Sequence, residues 1–419
     1  MGGGAMETPQ KEFFSLRLLL VLLLIMGVLL LGGCGGKREI DELAYMLGIG
    51  IDQGKEEGTY LVTMQIAEPK TSGGSAAELE NWTISMETKS ISTIMEQAAE
   101  VFSKQPFAGT LRVIVLGEDL ADAGINETLD YFQRFYEFRR TIYLLVAKGQ
   151  AKEIMEAELR TRQIPSLNLF DIIEGQSRQS VFPITRLGHY LTVLGRESQN
   201  PIIPRVEKIQ PGEHGLFYSD KGGQEILIHE SAVFEGGKCV AKLNDQETKG
   251  YLWLDDEIES RVLEGEDGDG VTVTAWVLNS KTKYKVENID GKMGIKFKIK
   301  TTVSVNEILG KGEQADIYRW QEFIKELQPL MAQAIQEECE AAVAKSKEQG
   351  LDFIGIGRKI EIKNPKYWRE IQENWPQGIK DIPVAYDINV KIEHSGLARN
   401  SPVSPQENGA KGGSHTLLE

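Results

Sequence analysis

The sequence predicts a mixed α+β fold divided into more than one domain, and three observations carry that reading. With 419 residues the chain exceeds what one hydrophobic core organises. Apolar runs of strand length alternate with stretches whose apolar residues recur at helical spacing, so neither an all-helix nor an all-strand protein fits. A stretch from 197 to 213 holding Pro201, Pro204 and Pro211 reads as a linker or domain boundary.

The elements follow in chain order. Lys11 and Arg17 precede a run from Leu18 to Gly36 without a charge. Its dense apolar part, Leu18 to Leu31, is about 14 residues, the length of a signal-peptide core and short for a bilayer span. It ends in Leu31-Gly32-Gly33-Cys34, which resembles a bacterial lipobox. That resemblance implies that the Cys34 thiol receives a diacylglyceryl group and that cleavage before it makes Cys34 the mature N-terminus. An uncleaved anchor helix is the other reading, and Met1 and Met6 are both possible starts. Residues 43–51 and 59–67 are strands joined by Gln53-Gly54-Lys55-Glu56-Glu57-Gly58, a hairpin. Pro69 to Ser75 is a loop. Ile91, Ile94, Met95, Ala98 and Phe102 mark an amphipathic helix over 90–103. Residues 111–116, a helix over 118–136 and residues 141–146 form a βαβ unit, since a crossover of about 24 residues can return a parallel strand.

Short helices are expected at 149–158 and 184–194. Strands follow at 225–229, 232–234 and 239–243, with a turn at Gly236-Gly237, then a helix over 245–254. Residues 271–277, 283–286 and 294–305 are strand-like, the last with Ile295, Phe297 and Ile299 on one face. A long helix spans 313–348, where Pro329 should kink or split it. A short helix near 365–374 precedes a last strand over 384–392. From Ser395 onward the chain is polar and expected to be disordered.

Composition narrows the function. There are 47 Lys+Arg against 62 Asp+Glu, a net charge of −15, and no basic block that could neutralise phosphates, so nucleic acid is excluded as a partner. Removing residues 1–33 leaves that charge unchanged, because Lys11 and Arg17 leave with Glu7 and Glu12. Cys34, Cys239 and Cys339 are too few and too scattered for a disulfide framework, and there is no CxxC for zinc or redox work.

A search for catalytic groups returns none. Gly175-Gln-Ser177-Arg-Gln179 lacks the second Gly of a nucleophile elbow. His229-Glu230 opens like HExxH, but position 233 is Val and the local pattern is strand. Asp267-Gly268-Asp269-Gly270 clusters oxygens without the spaced ligands and closing Glu of a calcium loop. Gly48-Ile-Gly50 and Gly355-Ile-Gly357 are half a phosphate loop and read as backbone bends. The five His are not paired at ligand spacing, so no metal and no cofactor is expected. Two groups are candidates for partner contact: the Arg139-Arg140 pair between helix and strand, and the aromatics Tyr367, Trp368 and Trp375. For each, a structural role is the other reading.

Several segments together resemble the Ger(x)C family of spore germination lipoproteins. They are Lys37-Arg-Glu-Ile-Asp-Glu-Leu43 with Gly48-Ile-Gly-Ile-Asp52, Leu111-Arg-Val-Ile-Val-Leu-Gly-Glu-Asp-Leu120, Glu137 to Lys148, and Pro183-Ile-Thr-Arg-Leu-Gly188. Ala232 to Lys238, Asn364-Pro-Lys-Tyr-Trp368 with Asn374-Trp375, and Val390 to Gly396 continue the match. The likeness covers nearly all of residues 31–396. It departs beside the anchor, where the family often carries Cys-Trp-Asp and this chain has Cys34-Gly35-Gly36.

The resemblance implies three α+β domains, each a sheet with packed helices, behind a lipoprotein signal peptide. Joined to the element reading it places a signal peptide at 1–33, an N-terminal domain at 34–200, a middle domain at 201–264, a C-terminal domain at 265–396 and a tail at 397–419. It also implies a non-catalytic subunit of a nutrient germinant receptor. Such a subunit would be lipid-anchored at Cys34 on the outer face of the spore's inner membrane, beside two multi-spanning subunits. An extracytoplasmic solute-binding lipoprotein feeding a transporter is the alternative, and a hydrolase is disfavoured for want of a nucleophile with its base.

Overall fold

A computed structural model describes residues 18–24, 42–69, 79–101, 104–160, 164–175, 179–215, 223–266, 270–309 and 320–394. Residues 18–24 form a short helix, α1, whose seven apolar side chains are 53–70% exposed. Cys34 and the stretch after Ser395 lie outside the described residues.

The first sheet begins with β1 (Leu43–Gln53) and β2 (Tyr60–Pro69), the expected hairpin, closed by Gly54 N–H donating to the Thr59 carbonyl at 2.7 Å. Strand β3 (Leu79–Thr88) extends it. The helix expected at 90–103 is a 3-10 turn followed by α2 (Ile94–Val101). A short β4 (Gln105–Phe107) and then β5 (Val113–Leu116) both lie parallel to β1.

Between β5 and its parallel partner β6 (Tyr143–Ala147) the expected single helix is two, α3 (Glu118–Ala123) and α4 (Asn126–Arg134). Gly124 ends the first: its φ of +130° is closed to side chains with a Cβ. Every residue of β5 and β6 is buried, as expected of parallel strands covered on both faces. Ile114, Leu116, Leu144 and Val146 face one core; Val113, Val115, Leu145 and Ala147 face another with α5 (Ala151–Met155) and α6 (Pro165–Gly175). Helix α7 (Leu187–Leu194) packs Leu187 and Tyr190 into the former.

The Pro-containing stretch expected as a linker is instead β7 (Ile202–Ile209), parallel to β6. Ile202, Ile203, Val206 and Ile209 are buried, and that apolar pattern outweighs the prolines. Strands β8 (Glu225–Glu235) and β9 (Lys238–Leu243) complete a nine-stranded sheet in the order β3-β2-β1-β5-β6-β7-β8-β9, with β4 beside β1.

Helix α8 (Asp245–Leu254) starts with a capping box, Asn244 accepting from Glu247 N–H at 2.8 Å and Glu247 answering the Asn244 N–H at 2.9 Å. A second sheet, in the order β10-β11-β12-β13, comprises β10 (Arg261–Glu266), β11 (Thr272–Ile289), β12 (Lys292–Leu309) and β13 (Val384–His394). The segment 201–264 thus contributes strands to both sheets. The three strand runs expected between 271 and 305 are one long hairpin, turned at Asp290-Gly291, where both residues have positive φ. Against its inner face lies α9 (Trp320–Gln349), one continuous helix with Pro329 inside. The split expected there does not occur: Leu327, Met331, Ile335, Cys339 and Val343 are buried along one stripe that holds both sides of the proline to the core. Helices α10 (Ile356–Lys363) and α11 (Pro365–Ile371) close the same core.

Candidate functional site

Neither described cysteine is a nucleophile. Cys339 is fully buried in the stripe of α9, and burial, followed by the negative charge of Asp122, pushes the Cys239 thiol up to about 12. His229 and Glu230 stand on β8, where His229 Nε2 lies 3.6 Å from both Glu207 and Glu230. Among the described residues no group of His, Cys, Asp or Glu could hold a metal ion. Gly48 and Gly50 are close-packing positions: a Cβ on Gly48 would stand 2.4 Å from that of Ser166, and one on Gly50 2.8 Å from the Met155 side chain. Asp267 and Asp269 fall outside the described residues.

The Arg139-Arg140 pair sits on the loop from α4 to β6. Phe132, Phe135 and Phe138 pack around Tyr131, with ring centroids 4.7 to 5.9 Å apart. That aromatic base makes the loop stiff. Arg140 bonds α7 in both directions, its guanidinium donating to the Gly188 carbonyl at 3.2 Å and its own carbonyl accepting from Gly188 N–H at 2.8 Å. Arg139 remains exposed, and beside it Tyr136 is 82% exposed, an aromatic ring held out from a rigid base. Tyr136 was legible only as one of several aromatics; that its ring lies at the solvent edge of the cluster, 5.3 Å from the Phe135 ring, depends on the loop's path.

The second aromatic group is differently placed. Trp368 and Trp375 are 7% and 8% exposed and meet edge to face at 5.4 Å; Tyr367 is half-buried. Their large rings are committed to the C-terminal core, so partner contact through either Trp is corrected by their burial. Trp375 Nε1 donates to Asp352 at 3.2 Å. Asp352, fully buried, also accepts from Ile356 N–H at 2.8 Å and Gly357 N–H at 2.6 Å, capping α10. Burial pushes its carboxyl up to about 6 against the pull of those donors. Asp352 N–H donates to Asn200 Oδ1 at 2.7 Å, Asn200 N–H returns to the Asp352 carbonyl at 2.8 Å, and Asn200 Nδ2 donates to Phe234 at 3.1 Å. This clasp ties the first sheet to the C-terminal helices, and nothing in the spacing of two residues 152 apart announces it.

A cleft of about 260 Å³ lies open between β10 and α9 and is lined by Glu264, Glu266, Leu330, Gln333 and Glu337. No helix among the described residues is long and apolar enough to cross a membrane.

Comparisons with known proteins identify the family. Residues 36–208 match the model described as spore germination protein N-terminal domain. Residues 229–396 match the one described as spore germination B3/GerAC like, C-terminal. The chain belongs to the Ger(x)C family of spore germination proteins. It is similar to spore germination protein KC of Bacillus subtilis (strain 168), 25% identical over 93% of this chain and 98% of that one. It is likewise similar to spore germination protein B3 of the same organism, 25% identical over 88% and 96%. Among solved structures, the crystal structure of the GerBC protein shares the fold, with a TM-score of 0.52 at 20% identity over 82% of this chain and 97% of that one. The expected mixed α+β architecture is therefore observed.

Proposed function

We propose that this chain is a non-catalytic, lipid-anchored subunit of a spore nutrient germinant receptor. Its diacylglyceryl group at Cys34 would hold the body on the outer face of the spore's inner membrane. Beside it would stand two multi-spanning receptor subunits, which it helps assemble or through which it transmits the nutrient signal. The observation that carries this is the match of both family models, in order, across the body that follows the apolar N-terminal run. The seven exposed apolar side chains of α1, just ahead of Cys34, support insertion in a membrane. One lipid retains a protein only moderately, so docking on membrane-embedded partners completes the attachment. The surface we assign to that docking is the loop carrying Tyr136, Arg139 and Arg140, because a rigid exposed aromatic next to guanidinium groups is what interface anchors require. The three folding units of the proposal are 34–200, 201–264 and 265–396, the middle one lending strands to both sheets.

The test is a detergent-solubilised pull-down from spore inner membranes. Co-purification of two polytopic proteins is the expected result, and recovery with an ATP-driven transporter overturns the reading in favour of solute delivery. Cys34→Ala should release the protein from membranes and impair germination. A variant that still fractionates with membranes in normally responding spores refutes the anchor.

A further inference from the structure

The outer face of the second sheet carries a lysine array. In the antiparallel pairing of β11 with β12, Lys281 lies opposite Lys300, Lys283 opposite Lys298 and Lys285 opposite Lys296. The residues between them on β12, Ile295, Phe297 and Ile299, are buried against the core, so strand alternation turns all six ammonium groups to the other side. Lys391 of β13, opposite Thr302, extends the array.

The carboxylates beside it are Asp387, 2.9 Å from Lys298, then Asp256 paired with Lys281, Glu393 at 3.1 Å from Lys391, and Glu287 one strand step beyond Lys285. Lys298, then Lys296 and Lys300, hold the Asp387 carboxyl below its usual range, which reports the same local positive field. In a chain of net charge −15 this is a local reversal of sign.

Packing does not account for it. Like charges directly opposite on a sheet are destabilising, and Lys has little preference for strands. Lysines do blunt open sheet edges, and among the described residues β11 beyond Val277 has no partner strand on its outer side, where Thr282 N–H donates to Asp256 instead, so edge protection accounts for Lys281, Lys283 and Lys285. Lys296, Lys298 and Lys300 cannot, because β12 is paired on both sides throughout that stretch.

We propose that this face rests on an anionic phospholipid surface. Across three strands, the array spans about 10 Å by 14 Å, from strand and residue spacings. Lysine is a point charge on a flexible stem, suited to laterally mobile phosphates rather than to the fixed fork geometry of carboxylates in a folded partner. Leu278, 40% exposed at the bulge of β11 three residues before Lys281, adds an apolar group of the kind found where a protein touches the headgroup boundary. The acidic remainder of the surface is repelled by such a bilayer, so the array sets the orientation of the body. The proposal is separate from the lipid at Cys34.

The experiment takes the protein as isolated from membranes, with the N-terminal attachment it carries there, reconstitutes it on phosphatidylcholine vesicles with and without phosphatidylglycerol, and follows lysine acylation, residue by residue, with a membrane-impermeant reagent. That attachment inserts equally in both, so the ratio between compositions isolates the face. Lys283, Lys285, Lys296 and Lys300 should react about tenfold more slowly on the anionic vesicles, and the protection should vanish in 1 M NaCl, where screening acts within about 3 Å. Exposed Lys89 and Lys238 should not change. The variant K283Q/K285Q/K296Q/K300Q leaves the Lys281–Asp256 and Lys298–Asp387 pairs intact and should fold at least as stably, while losing its preference for anionic vesicles in flotation. Equal acylation on both compositions overturns the proposal. So does stronger protection by soluble polyglutamate than by anionic vesicles, which would indicate an acidic protein partner.

Discussion

Asp352→Ala should loosen the start of α10 and its tie to Trp375 while leaving the main-chain bonds to Asn200 in place, with a pH signature opposite to the usual one. The carboxylate accepts three buried donors: Ile356 N–H, Gly357 N–H and Trp375 Nε1. Charge-assisted bonds of this kind are worth about 2 kcal/mol each, so about 6 kcal/mol of contact is lost. The rise of the Asp352 carboxyl from 3.8 to about 6 is burial winning over those same bonds, so the carboxylate's desolvation offsets a large part of them and the loss near pH 7 is on the order of 3 kcal/mol.

The sign of the pH effect follows from the same shift. Between 3.8 and about 6 the folded state binds a proton that the unfolded state has released, so the native protein gains stability as pH falls through that window. Lowering pH from 7.5 to 5 enters the window by one unit, about 1.4 kcal/mol. The alanine variant has no such group, so the gap between the two proteins should widen by about that amount at pH 5. Urea denaturation followed by tryptophan fluorescence reads it directly, since Trp375 and Trp368 border the site. A gap that stays constant or narrows on acidification refutes the reasoning.

Glu257→Gln tests a second buried acid. Burial, followed by the charge of Asp255, pushes its carboxyl up to about 8, with Lys359 pulling the other way. The native state therefore loses stability as pH rises from 4.5 to about 8. The Gln variant should flatten that slope by about 3 kcal/mol between pH 6 and 9 in denaturation curves, and an unchanged slope would count against it. Gly250→Ala should cost more than about 3 kcal/mol, seen as a drop in Tm, because its Cβ would stand 1.9 Å from the Glu338 carbonyl where α8 crosses α9; a shift of a degree or two would show that the helices part easily. Tyr136→Ala with Arg139→Ala should leave the unfolding free energy within about 1 kcal/mol of wild type, both residues being exposed. It should nonetheless abolish co-purification with the receptor subunits; full recovery would remove this loop from the docking surface.

Much of the fold was legible because it is local. The Gln53–Gly58 turn, the alternation of Ile295, Phe297 and Ile299 and the Asn244–Glu247 cap announce their elements within a few residues. The failures are tertiary. Gly124 was legible as a glycine but not as a break, and β7 was hidden behind prolines whose neighbours Ile202, Ile203 and Val206 found a core. Asp290-Gly291 carries a hairpin signal that joins the runs at 271–277, 283–286 and 294–305, and only the paired strands show that they form one hairpin. The candidate site divided similarly: Arg140 docks on Gly188, while the tryptophans that looked like partner contacts fill the core.

The order of residues by itself determined the apolar N-terminal run ending at Cys34, the absence of catalytic spacing, and the family, because these depend on neighbours in the chain. Only the tertiary structure decided that Asn200 meets Asp352, that Tyr136 stands out while Trp375 is buried, and that three pairs of lysines face one another. Register and packing create those neighbours, and the lysines of β11 and β12 are unremarkable until antiparallel pairing sets them side by side.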